Sequence, residues 1–234
     1  MPVTADGRER AGLAAEDASG ARGGRAANGG PAPSGAGPDG LPAPVDPSFF
    51  HLPTLELARR LIGKRLVRAD GDEVLIGRIV ETEAYIGPHD RAAHSYGNRR
   101  TPRTEVMYGP PGHAYVYVMH TQHLLNVVSG GVGCPEAVLI RAVEPEAGIA
   151  GMHRRRGPVK RERDLTSGPG KLTRAMGIDR SFYGHCLWMP PLYIAEGPEA
   201  GDIAAGPRIG IDNSGEAKDY PWRFWEKGNP FVSR

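Results

Sequence analysis

Two strand-like runs, Lys64 to Ala69 and Val74 to Thr82, are separated only by Asp70-Gly71-Asp72. Asp-Gly takes positive φ with little steric cost, so the second run folds back beside the first as a hairpin. Later segments repeat that commitment to antiparallel pairing. Ala114 to Met119 alternates, with Tyr115, Tyr117 and Met119 on one face and Val116, Val118 and His120 on the other. Val127-Val128 and Ala137 to Val143 read as strands around the Gly130-Gly131-Val132-Gly133 turn, and Ile209 to Ile211 as a short one. Helical signals are few. Pro53-Thr54-Leu55-Glu56 opens a helix capped by Thr54, with Leu55, Ala58, Leu61 and Ile62 as its apolar stripe and Gly63 as its stop; Leu172 to Met176 is a second, short helix. Strands joined through short turns predict an α+β fold, a mostly antiparallel β-sheet with peripheral helices.

Composition sets the domain limits. Gly, Ala and Pro supply 27 of the first 45 residues, and no aromatic side chain precedes Phe49. Such a stretch buries too little apolar surface to offset its ordering entropy, so residues 1–45 are expected to be a disordered tail. Residues 46–234 are expected to form one domain, since a chain of that size hides roughly 70% of its unfolded surface. No apolar run reaches 18 residues, which excludes a spanning helix. The tail lacks an apolar export core and carries Asp6, Glu9, Glu16 and Asp17, unlike a transit peptide. With Cys134 and Cys186 as the only cysteines, no structural disulfide is expected. An intracellular protein is the expectation, in the cytoplasm or nucleoid if the source is bacterial.

Net charge is +2, too small to establish a polyanionic partner. Clustering says more. Arg99, Arg100 and Arg103 surround Thr101-Pro102, and Arg154, Arg155, Arg156, Lys160, Arg161 and Arg163 fall within ten residues, interrupted by Gly157-Pro158. A lone run of this kind is ordinarily a solvated loop. Two runs flanking an aromatic strand make Arg99, Arg100, Arg103, Arg154, Arg155 and Lys160 candidates for phosphate contact.

The densest chemistry lies at Glu81 to Ser95, E-T-E-A-Y-I-G-P-H-D-R-A-A-H-S. Two carboxylates, an aromatic ring and a histidine follow directly on a strand, and Glu81 and Glu83 share a face if the extended geometry persists. Five histidines, His89, His94, His113, His120 and His123, lie near Asp90 in sequence, yet their spacing matches no H-E-x-x-H or Cys-containing signature, so a metal-dependent hydrolase is disfavoured.

The string from Gly77 to Tyr85, G-R-I-V-E-T-E-A-Y, is followed by Gly87-Pro88, Ala92-Ala93-His94-Ser95, Thr101-Pro102-Arg103, Met107-Tyr108, Pro111-Gly112 and Tyr115-Val116-Tyr117. Then come Arg141 to Pro145, Ser167-Gly168-Pro169 with Lys171-Leu172, Arg208 to Ile211, Pro221 to Phe224 and Gly228 to Ser233. In order and content this resembles the alkyladenine, or 3-methyladenine, DNA glycosylases, over everything after about residue 46. The resemblance implies a single domain around a curved antiparallel sheet. It also implies a monofunctional, monomeric base-excision enzyme that needs no metal or cofactor and acts on double-stranded DNA containing damaged purines.

The implied chemistry suits these residues. An N-glycosidic bond breaks through an oxocarbenium-like sugar, which calls for a base to activate water and for nearby negative charge. By resemblance Glu83 deprotonates the water, while Arg141 and the backbone carbonyl of Ile209 hold it; Glu81 is left as a supporting ion-pair partner. A base inside a duplex must be rotated out to be reached. By resemblance Tyr85 and Tyr117 stack on it, His94 contacts it, and Asn126 crowds the exocyclic amine of guanine. Aromatic faces suit cationic alkylated purines. The pattern departs from the family at Met119 to Leu125, where His120 stands in place of the expected wedge tyrosine and the run is one residue shorter before Asn126. His120 is therefore the expected intercalating side chain. Lys171 is a candidate Schiff-base amine, but it lies in a backbone-positioning motif, so simple hydrolysis is expected. The alternative is a non-catalytic nucleic-acid-binding module on the same fold, which the presence of both Glu83 and Arg141 disfavours.

Overall fold

The computed structural model describes residues 40–233. Residues 1–39 of the expected tail lie outside the described part. Packing against the sheet begins before residue 46: Val45 is buried and its N–H donates to the Ile194 carbonyl at 3.0 Å.

Among the described residues the fold is α+β, a curled antiparallel sheet with three α-helices. The helices are α1 (Thr54–Arg60), α2 (Ile149–Arg156) and α3 (Pro169–Met176). The strands are β1 (Arg65–Asp70), β2 (Glu73–Tyr85), β3 (Ala114–Met119), β4 (Gln122–Ser129), β5 (Glu136–Ala147), β6 (Trp188–Met189), β7 (Leu192–Ala195), β8 (Ile203–Gly206) and β9 (Arg223–Glu226). Their order is β3-β4-β5-β2-β1-β7-β6, with β8 paired to β9 and β9 to β2. The β1–β2 hairpin forms as its turn dictates, with Asp70 opposite Glu73 and Gly71 at φ +61°. β2 is the axis of the sheet. β5 pairs along it on one side, and on the other β1 takes its first half and β9 its second.

Two irregularities in the β2–β5 ladder decide where the chemistry points. Ile79 pairs with Val143 and Glu81 with Ala142, so Val80 is an extra residue on β2. Next, Glu81 pairs with Ala142 and Thr82 with Ile140, so Arg141 is an extra residue on β5. A bulge reverses the alternation beyond it. Leu75 and Ile79 face the main core, but after Val80 the core-facing residue is Ala84, and Thr82 donates its hydroxyl to the Ala58 carbonyl of α1. Glu81 and Glu83 are thereby turned onto the opposite face, whereas an unbroken alternation would have buried them among the aliphatic side chains of the main core.

Four local expectations are corrected. Thr54 does not cap α1; Pro53 occupies the cap position, and the Thr54 hydroxyl donates to Ser129 Oγ at 2.9 Å and also bonds Glu136. Leu55 is exposed while Leu57, Ala58, Leu61 and Ile62 enter the core. Ile209 to Ile211 is not a strand: Gly210 has φ +75°, and the Ile209 N–H is spent on the Glu83 carboxylate rather than on a ladder. The second basic run is not wholly loop either. Arg154 to Arg156 form the last turn of α2, where cations complement the helix dipole.

Candidate active site

The carboxylates of Glu81 and Glu83 on β2 are fully buried, which is costly unless each is paired and hydrogen-bonded. Arg141 lies between them. Its Nε donates to Glu81 Oε1 at 3.1 Å, its Nη1 is 3.3 Å from Glu83 Oε1, and its Nη2 donates to Ser233 Oγ at 3.1 Å. Burial opposes the Arg141 charge, but Glu83 and Glu81 outweigh it and raise its pKa. Arg223 of β9 donates from Nε to Glu81 Oε1 at 2.7 Å, so two carboxylates meet two guanidiniums. Glu83 is held at both oxygens: Oε1 accepts the Ile209 N–H at 2.7 Å and Oε2 accepts the Tyr85 hydroxyl at 2.9 Å. Burial, and next the Glu83 charge, raise the Tyr85 pKa well above its ordinary value, so the phenol keeps the proton it donates.

Above this cluster opens a cavity of about 300 Å³ lined by Tyr85, His94, Tyr117, Asn126, Arg141 and Ile209, among others. Every residue expected to form the base pocket or the water site therefore borders one space except Glu83, which is fully buried and lies beneath three of the lining residues, Tyr85, Arg141 and Ile209. β3 contributes Tyr115 and Tyr117, whose rings lie 5.3 Å apart, and His94 stands edge-on to Tyr117 at 4.6 Å. The Nδ1 of His94 is 2.8 Å from the Tyr115 hydroxyl. Burial, and then the charges of Arg103 and Arg99, lower the His94 pKa to about 4, so the ring is neutral near pH 7. Burial pushes Tyr115 up to about 12 against the opposing effect of Arg103. Asn126 spends Nδ2 on the Tyr115 carbonyl at 3.0 Å, which fixes its orientation at the cavity wall.

The other expected residues are dispersed. Arg103 lies over the Tyr117 ring at 5.5 Å, and the Arg99 charge acts on His94, so both lie near the aromatic wall without lining the cavity. Arg100 is chelated by Glu105. Arg154 and Arg155 pair with Glu73, the first residue of β2, roughly 30 Å from Glu83 along an extended strand. Lys160 is exposed in the segment after α2. His120 forms with Thr121 the two-residue turn between β3 and β4, at φ +46° and +68°. The alternation ends there, so His120 lines the same cavity as Tyr117 instead of pointing away from it. Val118 and Met119 beside it are 43% and 41% exposed, which makes the hairpin tip an apolar projection. Lys171 does not line the cavity, and among the described residues no three His, Cys, Asp or Glu side chains are grouped to hold a metal.

Sequence reasoning passed over Asp90 and Arg208. Their side chains have no exposure and pair bidentately, at 2.5 and 2.8 Å. Asp90 also accepts the N–H groups of Ile86 and Ala92, shaping the loop that carries His94, while Arg208 packs against the Tyr85 and Trp222 rings at 4.7 and 5.0 Å. Arg223 and Ser233 were likewise assigned no role. All four lie in or beside the motif strings quoted above, which was the only signal available for them.

The arrangement places a buried carboxylate, held at both oxygens, beneath the residues that line an aromatic-walled cavity. The sequence model described as Methylpurine-DNA glycosylase (MPG) matches residues 48–230, and the chain belongs to that family. Similar proteins occur in Bacillus licheniformis (61% identity over 82% of this chain and 97% of that protein) and Oceanobacillus iheyensis (59%, over 82% and 96%). A third, from Bacillus subtilis, is 54% identical over 82% of this chain and 97% of its own length. Each bears the name "Putative 3-methyladenine DNA glycosylase".

Proposed function

We propose that residues 46–234 act as a monomeric, monofunctional DNA glycosylase, which extrudes a damaged purine from double-stranded DNA and hydrolyses its N-glycosidic bond. The observation that carries this reading is the position of Glu83, whose oxygens are oriented by Ile209, Tyr85 and Arg141 at the foot of the aromatic cavity. The extruded base stacks between Tyr85 and Tyr117. Glu83 takes a proton from water, the water oxygen bonds to C1′, and the C1′–N bond breaks with its electron pair leaving on the base. The carboxylate charge also faces the cationic sugar as it develops. The Tyr115 hydroxyl donates its proton to His94 Nδ1, so the neutral imidazole presents its Nε2–H to the base. The exposed hairpin tip, with His120 at its turn, fills the gap left in the duplex. No reaction step calls on a metal, and no lysine lines the cavity for lyase chemistry.

The test is a base-release panel on duplexes each carrying one 3-methyladenine, 7-methylguanine, hypoxanthine or ethenoadenine. Wild type should release at least one base, leave an abasic site and give no borohydride-trapped adduct. Glu83→Gln should bind the same duplex with release reduced about 10²- to 10⁴-fold, the span of general-base catalysis. Undiminished release by Glu83→Gln would refute the mechanism, and binding without release by the wild type would favour a non-catalytic module.

A further inference from the structure

Ser233 lies outside the cavity, yet each polar atom it owns is engaged in the catalytic cluster. Its N–H donates to Glu81 Oε2 at 2.7 Å, its hydroxyl donates to Glu81 Oε1 at 2.9 Å and accepts from Arg141 Nη2 at 3.1 Å, and its carbonyl accepts from Arg223 Nη2 at 3.2 Å. The segment that delivers it is fixed in turn. Asn229 Oδ1 accepts the Phe231 N–H at 2.9 Å, and Asn229 Nδ2 donates to Glu144 at 2.9 Å and Glu226 at 2.8 Å. Those two carboxylates are themselves clamped by Arg78.

We infer that Ser233 and Glu81 are positioning residues for the hydrolytic step, together setting the plane of the Arg141 guanidinium. The inference rests on the role proposed for Glu83. A guanidinium is a rigid planar fork, so fixing two of its nitrogens fixes the direction of the third. Glu81 holds Nε and Ser233 holds Nη2, which leaves Nη1 aimed at Glu83 and at the cavity. The bulge at Arg141 requires this clamp, because a side chain on an extra ladder residue is not aligned by a paired neighbour. Arg223 completes the set by balancing the charge of Glu81. Ser233 therefore acts on turnover and not on capture of the base.

Single-turnover kinetics on the best lesion of the panel test this. Ser233→Ala removes the hydroxyl and should lower kcat by up to about a hundredfold, the scale on which a misplacement of about 1 Å acts. KM should stay within about twofold, since no substrate contact is lost. Ser233→Thr, which keeps the hydroxyl, should retain most of kcat. Glu81→Gln should also lower kcat, and the double variant Glu81→Gln/Ser233→Ala should be no slower than the worse single variant, because the two residues serve one fork. Circular dichroism melts confirm that each variant is folded, and the Glu81→Gln comparison stands if one serine variant is not. Wild-type kcat in folded Ser233→Ala, a loss confined to KM, or losses that multiply in the double variant would overturn the inference. Undiminished release by Glu83→Gln in the same series would instead remove the reading on which it rests.

Discussion

Replacing Arg208 by methionine removes one half of a fully buried, bidentate ion pair and leaves Asp90 with only the Ile86 and Ala92 N–H groups as donors. Breaking such a pair from one side costs about 3–5 kcal/mol, because a desolvated charge is left uncompensated. In a domain of 150–250 residues each kcal/mol moves Tm by about 2–4 °C, so a fall of roughly 6–20 °C is expected. Asp90→Asn should cost less. The guanidinium it strands still donates to the Ala84 carbonyl at 2.8 Å and the Ala217 carbonyl at 3.2 Å, and lies against two aromatic rings. The double variant buries no unpaired charge and should recover part of the loss, with a coupling energy in the range of about 0.5–3 kcal/mol. Urea unfolding at neutral pH, followed by circular dichroism with equal m-values checked across the four proteins, measures all of this. Single losses below about 1 kcal/mol, or two losses that add within about 0.5 kcal/mol, would refute the reasoning. The same pair underlies the Tyr85 ring and the loop carrying His94, so folded Asp90→Asn should also raise KM for the lesion.

Four further outcomes are expected. The His94 imidazole, followed by NMR, should titrate near 4; its folded pKa lies below the ordinary 6.5, so the unfolded chain binds the extra proton between these values and His94's contribution to stability, full above pH 6.5, is lost as pH falls through 4. Arg103→Ala should move that titration upward, and no movement would discount the Arg103 charge as a cause. Thr121 is a β-branched residue at φ +68°, so Thr121→Gly should stabilise the fold by about 1 kcal/mol, the cost of placing an L-residue in that region, and a lowered Tm would contradict this. His120→Ala should weaken base extrusion in a fluorescence assay on a duplex with an environment-sensitive base beside the lesion; an unchanged signal would transfer the wedge to Met119 or Val118.

The sheet was legible because its determinants are local. Asp70-Gly71 specifies its own turn, and the alternation of Ala114 to Met119 follows from strand geometry. That Glu81 and Glu83 share a face was legible for the same reason, but which face was not. It depends on the bulge at Val80, and nothing in I-V-E-T-E distinguishes a bulged strand from a regular one. The Asp90–Arg208 pair and the Ser233–Glu81 contacts join positions 118 and 152 apart in sequence, which spacing does not reveal. The misread elements have a common cause. Ile209 to Ile211 has a strand's composition, but its amide serves Glu83; His120-Thr121 lacks the Asn-Gly or Asp-Gly of a two-residue turn yet adopts one.

Several departures from local rule meet at one place. Arg141 on its bulge, Ile209 with Gly210 at positive φ, and His120 at the strained turn all line the cavity above Glu83, and the Val80 bulge delivers Glu83 to its foot. Regular strands would leave the carboxylates in the aliphatic core and Arg141 in register with a ladder partner. A relaxed Asn-Gly turn would end the β3–β4 hairpin without a side chain large enough to stand in a base step. Strain of this kind persists only where surrounding packing over-determines it, and the packing that does so here is the paired network of Arg141, Arg208 and Arg223 beneath the cavity. Relieving any one irregularity should therefore raise stability or leave it unchanged while lowering turnover, which is the opposite of what substitutions in the Leu75–Ile79 core would do.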